Sequence, residues 1–158
     1  MIEKDLQDLI KSKIKTVLEP LDIKTQYLGL LDIGNETDED GLKLNEDEEY
    51  DARITIKVDP SSYDTPTIPD AQYTVTVYFD ISAGIDYNGK TYIDITDELE
   101  KLFYTYQKTF TTYYNAFKIE DKFEPTGFQL TGGDYSLDKD KCTWTFMRSF
   151  TLYGIVLT

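Results

Sequence analysis

Residues 142–158 read CTWTFMRSFTLYGIVLT, a run with one charge, Arg148, and one glycine. In an extended strand Trp144, Phe146, Phe150 and Leu152 share one face, and Thr143, Thr145, Ser149 and Thr151 share the other. From Tyr153 onward the alternation fails, because Tyr153, Ile155, Val156 and Leu157 are apolar on both faces. A strand of that kind belongs inside a sheet, covered on both sides. Left uncovered it is a pairing hazard. Either the chain's own sheet covers it or a sister chain does. The expectation is a sister chain, which assigns Tyr153, Ile155, Val156, Leu157 and Arg148 to a subunit interface.

Upstream, FEPTGFQLTGGDYSL (residues 123–137) reads as a partner strand, joined to the last one by a polar turn around DKDK. Gly132 and Gly133 lack the spacing of a phosphate-binding loop and no lysine follows them, so a turn or bulge is expected. Before it, Leu99, Leu102, Phe103, Tyr106, Phe110, Tyr113, Tyr114 and Phe117 recur at helical spacing as one broad aromatic face. The other side carries Thr105, Thr109, Thr111 and Thr112, poor helix formers that packing must hold. Asp97 with Glu100 resembles a capping box and sets the expected start of this helix.

Asn88 and Gly89 form a strong hairpin signal, so residues 85–87 are expected to pair with 91–93. AQYTVTVYFDISAG places Tyr73, Val75, Val77, Phe79 and Ile81 on one face. YDARITIKVD (residues 50–59) alternates most cleanly, with Ala52, Ile54, Ile56 and Val58 opposite Arg53, Thr55 and Lys57. The proline-rich PSSYDTPTIPD between these strands is a loop. At the start of the chain Ile2, Leu6, Leu9, Ile10, Ile14, Val17 and Leu18 make an amphipathic helical stripe that Pro20 stops, and residues 21–33 read as a strand. The result is one α+β domain over residues 1–158. An antiparallel or mixed sheet carries two main helices, in the order α-β-β-β-hairpin-α-β-β.

Residues 32–49 hold nine carboxylates and a single base, Lys43. Such a block repels itself, and an exposed loop or hairpin arm is expected. Glu36, Asp38, Glu39, Asp40, Glu46, Asp47, Glu48 and Glu49 are its candidate contacts with a lumen or a partner. Glu36, Asp38, Asp40, Gly41 and Asp47 fall at calcium-loop positions 1, 3, 5, 6 and 12. Glu at the first position, the short Asp at the last and Lys43 at the usual apolar position argue for a solvated arm instead, so no metal is expected.

Composition excludes more than it selects. The formal net charge is −14, from 30 acids against 16 bases, which disfavours phosphate-dominated binding to nucleic acid. There is no histidine, so the commonest acid–base residue and metal ligand is missing. The lone Cys142 has no histidine to activate it. No catalytic set and no cofactor is implied, and neither a signal peptide nor a membrane span is read. Thirteen tyrosines suit surfaces that are half buried and half wet.

Arg148 interrupts the apolar face of the last strand and needs a partner there. An internal bridge to a carboxylate such as Asp80, or a side chain that snorkels at the sheet rim, is expected ahead of an intersubunit ion pair or a site arginine.

The element order, with the ending GGDYSLDKDKCTWTFMRSFTLYGIVL, resembles the small neck proteins of tailed bacteriophages, above all tail terminators and tail-completion proteins. The acidic stretch at 32–49 is a departure from that pattern. The resemblance implies a structural virion protein of the tail or neck, not an enzyme, whose homo-oligomeric ring, of hexameric size, caps the tail tube. It implies contacts with other tail or neck proteins, and DNA only in passage. Another virion component, such as a head-completion or baseplate protein, is an alternative. A small cytosolic binding module or enzyme for a cationic or sugar ligand is a further one.

Overall fold

Helix α1 (Ile2–Leu18) forms where the apolar stripe was read, and it buries Leu6, Ile10, Ile14 and Leu18. Acidic residues in its first turn and Lys15 in its last complement the helix dipole. Pro20 does not end the helical path abruptly. A 3-10 turn, Glu19–Leu21, carries it to Asp22, which stops it in the left-handed region at φ 55°. The fold is known from a computed structural model, which describes residues 1–29, 50–61 and 70–157.

Strands β1 (Thr25–Gly29), β2 (Ala52–Ser61), β3 (Asp70–Ser82), β4 (Phe123–Asp138) and β5 (Thr143–Val156) form one sheet in the order β1-β2-β3-β5-β4. Only the β1–β2 pair is parallel, so the sheet is mixed and the class is α+β, as the sequence predicts. Helices α2 (Tyr92–Lys108) and α3 (Phe110–Phe117) complete the described elements. The helices pack their apolar sides into one cluster with Ile54, Ile56, Val75, Val77, Phe79, Phe146, Phe150 and Leu152. Each such fully buried side chain contributes about 1.5–3 kcal/mol relative to exposure. All of these strand residues lie on one face of the sheet, as their alternation in the sequence predicts.

Three local expectations are corrected. The Asn88-Gly89 turn exists, with φ 55° and 83°, but only Tyr87 and Lys90 pair across it, by hydrogen bonds of 2.9 and 3.1 Å. No second hairpin strand follows, because Thr91 opens a helix immediately. The Thr91 hydroxyl accepts from the Asp94 N–H at 3.3 Å, while the Asp94 carboxylate accepts from the Thr91 N–H at 2.9 Å. That reciprocal cap starts α2 six positions before Asp97, and it is the true capping box. The single second helix is in fact two. Thr109 is extended, at φ −143°, and its hydroxyl accepts from the Thr112 N–H at 3.2 Å to start α3. Threonine favours a cap over a helix interior, and the chain breaks where that preference is met.

Candidate interaction surface

Strand β5 lies between β3 and β4, and both of its edges are paired as far as Ile155 and Val156. Beyond it the Leu157 N–H donates to the Lys122 carbonyl at 2.8 Å. The cover expected from a sister chain is therefore supplied, at the backbone, by the chain's own sheet. Val156 packs against the core, and Leu157 is 38% exposed. Tyr153 and Ile155 are half-buried on the opposite face of the sheet.

No described helix lies on that opposite face. Cross-strand rows there set Asp59, Thr74 and Thr151 side by side, then Lys57, Thr76 and Ser149, then Thr55, Tyr78 and Met147. Hydroxyls knit it together: Thr76 and Ser149 share a 3.3 Å hydrogen bond, and Thr145 donates to Asp80 at 2.7 Å. Tyr78 is exposed, while Thr151 is buried. Hydroxyl and apolar groups share this surface with the charged Arg53, Lys57, Asp59 and Asp80, a mixed composition of the kind found at non-obligate protein contacts.

Arg148 projects from the helix-bearing face, between Phe146 and Phe150, as the alternation requires. Its expected partner, Asp80, lies on the other face, so that pairing is corrected. The guanidinium reaches α2 instead. Its Nε lies 3.8 Å from a Glu100 carboxylate oxygen, and an NH2 donates to the Tyr104 hydroxyl at 3.4 Å. Its carbon sits 5.3 Å from the Tyr104 ring centroid, a cation–π contact. Burial raises the Glu100 carboxyl above its ordinary value, and Arg148 opposes that rise. Gly133 makes room for this arrangement, since a Cβ there would stand 2.5 Å from an Arg148 guanidinium nitrogen.

Around this cluster the helix-bearing face is incompletely covered. Tyr135 is 69% exposed although its ring stacks on Trp144, with centroids 5.3 Å apart. Leu137, beside Trp144 in the register, is 40% exposed, and Tyr104 is 48% exposed. Strand β4 is also an edge of the sheet. Its first half is sealed by helix side chains: the Tyr113 hydroxyl donates to the Thr126 carbonyl at 3.1 Å, and the Gln107 side chain accepts from the Leu130 N–H at 3.0 Å. Pro125 and a register shift fall in that half, and a second shift follows Leu130. From Gly132 to the hairpin turn no described helix residue bonds to the strand's outer side.

The acidic candidates Glu36, Asp38, Glu39, Asp40, Glu46, Asp47, Glu48 and Glu49, with the calcium-like spacing, lie outside the described residues. Among the described residues no group of three or more Asp, Glu or Cys is placed to hold a metal ion, and no helix is long and apolar enough to cross a membrane. Sequence reasoning found Arg148 and missed Glu100, Tyr104, Gly133, Tyr135 and Leu137 as its surroundings. The helix spacing of Glu100 and Tyr104 was legible, but the edge position of β4 follows only from strand order. No protein-family model matches the chain, and neither does any curated protein.

Proposed function

We propose that this is a structural virion protein of a tailed bacteriophage, a tail terminator or head–tail joining protein whose copies close into a ring on the tail tube. The observation that carries the reading is the face of the sheet opposite the helices, where Tyr78, Met147, Tyr153 and Ile155 stand among threonines. A sheet stabilised from one side offers its other side to a neighbour without disturbing its own core. Copies that meet through two different patches close into a ring when the rotation between them closes. A hexamer would carry many negative charges, since each chain contributes −14. An acidic lumen repels DNA phosphates, so DNA passes without sticking. The work is adhesion and spacing, with other tail or neck proteins as neighbours and no bond made or broken.

The test is the solution mass of the chain at several concentrations, beside a Tyr78→Lys, Ile155→Lys double variant. The wild type is expected as a discrete closed oligomer. The variant is expected as smaller species with an unchanged far-UV circular dichroism spectrum. A wild type that stays monomeric at every concentration overturns the reading.

A further inference from the structure

We propose that the outer edge of β4 over residues 132–138 is a strand-addition site for an extended, basic segment of a different protein. This stands apart from the ring reading, because it uses the sheet's edge and not its open face.

The edge is selectively available. Tyr113 and Gln107 block β4 up to Leu130, and the strand shifts register just after it. Past that point the Tyr135 N–H is taken by the adjacent Asp134 carboxylate at 2.8 Å, which marks this N–H as pointing away from β5. In an antiparallel pair outward groups recur at every second residue, so Gly133 and Leu137 present theirs in the same direction. Natural sheets blunt such edges unless they are used. Here the cover from helix side chains stops halfway along the strand, and beyond it only the displaceable Asp134 carboxylate guards the Tyr135 N–H.

Side chains on the two sides of the edge describe the occupant. On the helix side Tyr135, Leu137 and Tyr104 are exposed apolar groups that an incoming strand's alternate side chains would cover. On the other side stand the exposed Asp134 and Asp138. A lysine or arginine at the intervening positions would draw the Asp134 carboxylate off the Tyr135 N–H and free that donor for the new strand. A second copy of this chain is the poorer occupant. It would bring its own Asp134 and Asp138 to the same edge, on a molecule already at −14. Charge and backbone together select a segment that alternates apolar and basic residues.

The probe is a short, end-blocked peptide alternating lysine and valine, with two controls. One replaces lysine by glutamate, and the other carries N-methyl groups along one edge of the backbone. Binding to the full chain is followed by fluorescence anisotropy, and amide exchange at Gly133, Tyr135 and Leu137 is followed by NMR. The lysine peptide is expected to bind at least about tenfold more tightly than either control and to slow exchange at those amides. Asp134→Lys is expected to weaken it by about tenfold. Leu137→Pro removes an outward N–H that no ladder bond uses, and it is expected to abolish binding with the fold retained. Equal binding of the N-methylated peptide would reduce the site to charge attraction and overturn the proposal. So would equal binding of the glutamate peptide, or dimers of the wild type that Leu137→Pro separates.

Discussion

At Gly154 the sheet has no room for a side chain: a Cβ there would meet the Phe123 ring and stand 2.7 Å from the Glu124 carbonyl oxygen. Phe123 is fully buried, and β5 is held on both edges, so neither strand can yield cheaply. Gly154→Ala is expected to cost about 1–3 kcal/mol, read by urea denaturation. Arg148 makes a second prediction. Its ion pair with Glu100 is only partly exposed, so Arg148→Ala is expected to cost about 1–3 kcal/mol at neutral pH, between the values for surface and buried pairs. Burial already raises the folded-state pKa of Glu100 above 4.5, so the stability this carboxyl confers is full below that value and falls as pH rises. Without Arg148 the folded value climbs further. The cost of the substitution is therefore expected to be small below pH 4.5 and to grow toward neutrality, which denaturation at pH 4 and pH 7 checks. The position of Arg148 on the core face was legible from alternation alone. Alternation alone already set Asp80 on the other face, beside Thr145, but that Glu100 lies against Arg148 follows only from where α2 packs on the sheet.

Among the elements, α2 depends on its first turn. Hydrogen bonds from the Thr91 backbone and side chain hold the Asp94 carboxyl below its ordinary value. Thr91→Ala is expected to lower stability by about 1 kcal/mol, measured by thermal or urea unfolding. A lowered carboxyl stabilises above its unfolded value of 3.8, and that contribution disappears as pH falls through the folded value. The Thr91→Ala variant is accordingly expected to lose less stability than the wild type on acidification below pH 4. The strands and α1 were readable because periods of 2 and 3.6 persist over many residues in β2, β3, β5 and the first helix. The region from 85 to 110 was misread where two local signals competed. The Asn88-Gly89 turn promised a hairpin, but the Thr91 and Asp94 cap starts α2 directly after the turn and ends the pairing after one bridge. The break at Thr109 followed the same rule. A threonine hydroxyl satisfied a helix start, while the rings of Tyr106 and Phe117, 5.0 Å apart, packed the two helices together across it.

For the whole molecule, the fold explains why an acidic chain carries so apolar a final segment. That segment is an inner strand, and removing residues 153–158 would strip β3 and β4 of their pairing with it. Truncation is therefore expected to unfold the domain instead of merely dispersing an assembly, so surface substitutions are the sharper tool. The strand order β1-β2-β3-β5-β4 could not be read from the sequence, because adjacency in a sheet is set by crossovers and not by periodicity. What the order exposes is one sheet face without a described helix and one strand edge left half unsealed. The measurement that tests the account most directly is the mass of the chain in solution by native mass spectrometry, with and without Tyr78→Lys and Ile155→Lys together. A closed ring that falls apart in the variant, while both proteins keep the same circular dichroism spectrum, is the predicted result. A wild type that remains a single protomer throughout would contradict it.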